Sequence, residues 1–133
     1  MPYSLNDLII DIKDTILHEA LPNGSDKICY FVSKALMDQN FISENLPDRQ
    51  NGDNPRQILY EDKETGFCVC GHVYSTEAIG SPHDHGSSWA IYGQASGETE
   101  MTDWEIIKER SVDDIIFVKP KKTYTMKAGD VHF

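Results

Sequence analysis

Two histidines stand two apart in "GSPHDHGSSWAIYGQ", residues 80–94, among small residues and β-formers. Side chains alternate along an extended strand, so His83 and His85 are expected on one face. Neutral imidazole ligates zinc, iron, copper and nickel, and two such donors on one face are half of a metal site. Gly80, Ser81 and Pro82 form a tight lead-in and Gly86 follows, which leaves room for an ion and a small substrate. Two ordinary strand histidines would read the same way, so the remaining donors decide the matter.

A second stretch, "FCVCGHVY" (67–74), sets Cys68, Cys70, His72 and Tyr74 at one parity and Val69, Gly71 and Val73 at the other. A regular strand turns the first four to one face, and a bulge at Gly71 would break that pattern. Imidazole and phenol on a shared face can line a reactive cavity, or find partners within the protein. Cys68 and Cys70 read as small core residues, and Trp89 and Tyr92 as core or rim aromatics. His18 and Cys29 fall inside helical stretches and read as structural. Arg56 precedes "QILYED", and its guanidinium fork could pair a carboxylate through two parallel hydrogen bonds.

These groups depend on the elements around them. From Ser4 to about His18, Leu5, Leu8, Ile9, Ile12 and Ile16 recur at helical spacing, with Ser4 and Asp7 placed as a capping pair. "LPNGSDK" (21–27) is a turn, after which Ser25 or Asp26 can cap a second helix carrying the stripe Ile28, Phe31, Val32, Ala35 and Leu36. An N-terminal helical segment over 1–50 is expected, closed by the polar loop "PDRQNGDNPR" (47–56). Residues 51–133 have β texture, with strands expected over 57–62, 66–76, 87–94, 97–107, 114–118 and 122–133. Helices followed by about six strands predict a mainly β sandwich or barrel with a helical N-terminal segment.

Composition limits the partners. The chain has 133 residues and a net charge of −10, so it repels phosphate backbones and no nucleic acid is expected. No apolar run approaches membrane-spanning length, so no membrane is expected either. "MPYSLNDLIIDIKDTI" carries acids within its apolar stretch and does not read as a signal peptide. Three cysteines, an odd number without framework spacing, fit a reducing, cytoplasmic setting.

"GSPHDHGSSWAIYGQASGETEMTDW" (80–104) resembles the first motif of the cupin superfamily, particularly its cysteine dioxygenase-like, or thiol dioxygenase, branch. In that pattern His-x-His is followed by a Glu and then a Gly; here His83, His85 and Gly97 fit, while Ala90 holds the Glu place. "KAGDVH" (127–132) resembles the second motif, Pro-x-Gly-x-x-His, with Lys127 in place of the Pro. The resemblance covers roughly residues 56–133 and implies a double-stranded β-helix, a jelly-roll barrel holding one metal at its mouth. It makes His132 the third ligand beside His83 and His85. The thiol dioxygenase branch likewise lacks the Glu. Fe(II) is the metal it implies first, with Zn, Ni or Mn as the others.

The resemblance also gives Arg56 the role of binding a substrate carboxylate, and it turns His72 and Tyr74 into the pocket. A Ser-x-His-x-Tyr run that follows the third ligand in the branch has no counterpart here, because the sequence stops at Phe133. The barrel is therefore expected to be incomplete at its C-terminus, leaving an edge that invites a homo-oligomer. The leading expectation is a mononuclear non-haem iron dioxygenase that transfers oxygen from O₂ to the sulfur of a small thiol. A non-catalytic metal- or ligand-binding cupin and a zinc-dependent hydrolase or lyase are the alternatives.

Overall fold

A computed structural model describes residues 2–19, 23–47, 55–74, 89–108 and 117–133. Helix α1 (Leu5–His18) starts with the expected capping box: the Asp7 N–H donates to Ser4 Oγ at 3.1 Å, and the Ser4 N–H donates to the Asp7 carboxylate at 3.0 Å. Leu8, Ile12 and Thr15 are its buried residues. Helix α2 (Ser25–Leu36) has Gly24 at its N-cap, and neither Ser25 nor Asp26 caps it. Both lie inside its first turn, and the cap position itself is tight, since a Cβ on Gly24 would lie 3.0 Å from the Thr15 methyl. Helix α3 (Gln39–Asn45) is additional to the expected pair. Asp38 caps it by accepting from the N–H groups of Asn40 and Phe41, and its other oxygen accepts from the Tyr3 N–H at 2.7 Å.

The strands are β1 (Arg56–Glu61), β2 (Cys68–His72), β3 (Tyr92–Gly93), β4 (Glu98–Lys108), β5 (Phe117–Lys127) and β6 (Val131–His132). Among the described residues they pair antiparallel as β1–β2, β3–β6 and β4–β5, three two-stranded sheets. Strand β5 runs unbroken where two strands were expected. Pro120 sits opposite Trp104 next to a register shift, a place where the missing N–H costs no regular ladder bond.

The expected mainly β jelly-roll barrel is not what forms. Among the described residues no barrel closes, and helix and strand occur in nearly equal measure. A barrel needs an inward row of packed side chains along every strand. The β4–β5 ribbon lacks one: Glu98, Thr99, Glu100, Asp103, Lys119, Lys121, Lys122 and Thr123 are all exposed, and Met126 is the buried exception among its described side chains. The core lies instead between the helices and the β1–β2 hairpin. Tyr3, Leu8, Ile12, Ile28, Ala35, Phe41 and Phe67 form it, with Val69, Trp89 and Ile91 packed against them. The helical segment and the β part thus share one core.

Gly93 ties that core to the C-terminal strand pair. A Cβ at Gly93 would meet Val32 Cγ1 at 2.8 Å and Leu36 Cδ1 at 2.9 Å. Val32 is β-branched and stiff on its helix, so it cannot turn aside freely. Gly93→Ala should therefore destabilise the chain by roughly 1–3 kcal/mol in urea unfolding. An unchanged midpoint would show that β3 and α2 are not in this contact.

Candidate functional site

The β1–β2 hairpin brings three of the expected residues together. Its register pairs Arg56 with His72, Gln57 with Gly71 and Ile58 with Cys70, then shifts so that Tyr60 meets Val69. The extra residue falls in β1, and β2 stays regular. Burial over residues 68–74 follows the two faces except at Cys70: Gly71 is buried, Val69 and Val73 are half-buried, Cys68, His72 and Tyr74 are exposed, and Cys70 is half-buried like the valines. Gly71 marks the inner face because a Cβ there would lie 2.6 Å from Leu46 Cδ2 and 3.6 Å from Leu59 Cδ1. The outer face carries Arg56, Cys70, His72 and Tyr74. The Arg56 guanidinium lies 3.8 Å from Cys70 Sγ, and the His72 and Tyr74 rings stack at 6.5 Å between centroids. Cys68 and Cys70, expected as core residues, share this parity and also line the cavity in the core, with Cys68 exposed and Cys70 half-buried.

Partial burial of the ring, reinforced by the Arg56 charge, holds the His72 pKa below the ordinary imidazole value. The ring is thus neutral at neutral pH, an acceptor rather than a cation. Arg56→Gln removes the second cause and leaves the first, so the His72 pKa should rise part of the way back. An NMR titration of the ring checks this, and a pKa that stays put or falls would break the link between the two residues.

Asp62 holds the hairpin in place and was not singled out from the sequence. Its buried carboxylate accepts from the Thr65 N–H at 2.8 Å, from the Thr65 hydroxyl and from the Tyr60 hydroxyl at 2.8 Å. Lys13 on α1 reaches it at 3.3 Å. The Thr65 hydroxyl and N–H together hold the Asp62 carboxyl well below the usual carboxylate range. The signal was present in "DKETG" (62–66), an Asp followed by Thr and Gly at turn spacing.

His132 sits elsewhere, on β6 opposite Tyr92. Gly129 supplies the turn before it at φ +95°, and its N–H donates to the Gln94 carbonyl at 2.8 Å. Asp130 closes the same turn, its carboxylate accepting from the Lys127 N–H at 2.8 Å. The half-buried His132 ring packs against Tyr124, with centroids 4.7 Å apart. The Tyr124 hydroxyl lies 3.5 Å from Asp103, and burial together with that carboxylate pushes its pKa up. Burial raises Tyr92 as well, so both phenols beside His132 remain O–H donors. Tyr124 and Asp103 are neighbours that motif spacing did not mark.

His83 and His85 lie outside the described residues, and so does their relation to His132. Among the described residues no group of three or more His, Cys, Asp or Glu side chains could hold a metal ion. A core cavity of about 150 Å³, lined by Leu8, Ile28, Phe67, Cys68, Cys70 and Trp89 among others, includes none of the candidate residues Arg56, His72, Tyr74 or His132. Among the described residues no helix is long and apolar enough to cross a membrane. Comparison with family models, curated proteins and solved structures gave no match to this chain.

Proposed function

We propose that His83, His85 and His132 hold one divalent metal, Fe(II) in the first instance, and that the protein transfers oxygen to the sulfur of a small thiol. The observation that carries this reading is the β3–β6 pairing: Tyr92, seven residues beyond His85, lies directly across from His132. The second histidine motif is thereby tied to the chain that leads out of the first. Three neutral imidazoles suit Fe(II), and they suit Zn²⁺ and Ni²⁺ as well, with Mn²⁺ a weaker match to nitrogen donors. The half-buried His132, braced by Tyr124, fits the role of a ligand whose ring orientation is fixed by its surroundings. A bound Fe(II) would supply the redox chemistry that lets O₂ react with a thiolate.

The overall reaction balances without a further reductant, since a thiolate and O₂ together give a sulfinate. In this reading Arg56 pairs the substrate carboxylate, and neutral His72, across the strand pair from it, accepts the thiol proton. Tyr74 stacks on His72 and limits its rotation. The exposure of Arg56, His72 and Tyr74 favours a second reading, a metal- or ligand-binding protein that does not turn over.

Metal analysis of the purified chain, paired with oxygen uptake across a panel of small thiols, separates the two. Bound iron with thiol-dependent uptake is expected from the first. Bound metal without uptake would select the second, and no stoichiometric metal would overturn the first.

A further inference from the structure

We propose that the outer face of the β4–β5 ribbon is a self-association surface, on which two copies of the chain stack face to face about a two-fold axis parallel to the strands. One parity of the ribbon turns inward at its base, where Met126 is buried and Tyr124 packs on His132. The other parity runs through the register pairs Glu98–Lys127, Thr102–Thr123 and Trp104–Pro120. The Thr102 and Thr123 hydroxyls meet at 3.2 Å on that side. Trp104 is 42% exposed and Val118, two residues from Pro120, is 36% exposed. Beyond Thr102 the inward parity is in solvent too, with Asp103, Glu105, Lys119 and Lys122 exposed. A lone two-stranded ribbon is marginal in water and needs a further layer against one face. The exposed indole marks which face that layer covers.

Charge identifies the occupant as a second copy. Strand β4 carries the acids Glu98, Glu100, Asp103 and Glu105, and β5 carries Lys119, Lys121, Lys122 and Lys127. The acids beside those lysines repel a phosphate backbone. Edge-to-edge pairing about a two-fold axis would set β4 against β4 or β5 against β5, and like charges directly opposite are destabilising. An axis parallel to the strands instead lays β4 over β5 of the second copy, so each row meets itself with the strands exchanged. Glu98 then lies over Lys127 of the second copy and Trp104 over its Pro120, each contact made twice. Within one chain Glu98 and Lys127 are partners in register but form no ion pair among the described residues, so both charges remain for this contact.

The size of the face sets the strength. Eleven residues in each strand make the ribbon about 36 Å long. Two such faces bury on the order of 1,000 Å² in all, the range of transient rather than permanent complexes. The dimer therefore forms and dissociates with concentration. The proposal stands apart from the metal and from turnover.

Sedimentation equilibrium of the 133-residue chain over a rising concentration series tests this. A monomer–dimer equilibrium is expected, and Trp104→Ser should weaken it about ten-fold or more, as loss of a central aromatic anchor does. Glu98→Lys and Lys127→Glu should each weaken self-association several-fold, because like charges then face each other. An equimolar mixture of these two variants should restore it as a heterodimer. Mixing cannot repair a contact within one chain, so the restored dimer reports the exchanged strands. A chain that stays monomeric at every concentration, a dimer unmoved by Trp104→Ser, a series of ever larger oligomers, or a mixture no tighter than its components would overturn the proposal. Circular dichroism identifies a variant that has lost its fold, and the concentration series of the unaltered chain with the remaining variants then decides.

Discussion

Replacing His132 with alanine should cut divalent metal affinity by well over the roughly 10–100-fold that loss of a supporting partner costs, because it removes a ligand outright. The substitution takes the imidazole from β6 and leaves its backbone pairing with β3 intact, so the fold should survive. Isothermal titration with Fe(II) under anaerobic conditions, or with Zn²⁺ as a redox-silent stand-in, measures the loss. Tyr124 provides a graded control. Its ring packs on His132 at 4.7 Å, so Tyr124→Phe keeps the brace and should change affinity little. Tyr124→Ala removes it and should weaken binding by a smaller factor than His132→Ala. Equal affinity in His132→Ala and the unaltered chain would remove His132 from the site.

The largest effect on stability should come from Asp62→Ala. The carboxylate is buried, and its loss leaves the Thr65 N–H, the Thr65 hydroxyl, the Tyr60 hydroxyl and Lys13 without their common acceptor. Unsatisfied donors of this kind carry their full desolvation cost, and a fall in melting temperature of roughly 5–15 °C is expected. The pH dependence has a definite sign. The folded Asp62 carboxyl titrates below its unfolded value, so its contribution is complete above the ordinary carboxylate pKa near 4 and is lost as pH falls below it. The melting temperature of the native chain should therefore drop more between pH 5 and about pH 3 than that of Asp62→Asn. Parallel profiles would show that Asp62 is not held in this network.

Helix α1 was legible to the residue at its start, because Ser4 and Asp7 announce a capping box that needs no tertiary partner. The two faces of β2 were legible too, since alternation is a property of the strand itself. Which environment each face would meet was not. That depended on Leu46 and Leu59 closing over Gly71, contacts from distant parts of the sequence. The cysteines were legible in part: they follow the outward parity, and both still line the cavity in the core, with Cys70 half-buried like Val69. Helix α3 is only two turns long, too short for periodicity to stand out, although Asp38 offered a cap. The barrel was expected from a motif resemblance and a count of strands. The ribbon sequences "ETEMTDWE" (98–105) and "VKPKKTYTMK" (118–127) already argued against it, because neither alternates cleanly between apolar and polar.

The candidate site was legible unevenly. Parity set His72 and Tyr74 to one side, and the strand pairing adds Arg56, the first residue of β1, opposite His72. That face is open to solvent. Tyr124 escaped notice because its contact with His132 joins β5 to β6, and Asp103 because it reaches Tyr124 across the β4–β5 ladder; no local spacing encodes either contact.

X-ray absorption spectroscopy of the reduced, iron-loaded chain tests the three-histidine centre most directly. Imidazole scattering from three ligands per iron is expected, with one fewer in His132→Ala and two fewer in the His83→Ala, His85→Ala double variant. Iron bound without imidazole scattering, or a ligand shell unchanged by these substitutions, would contradict it.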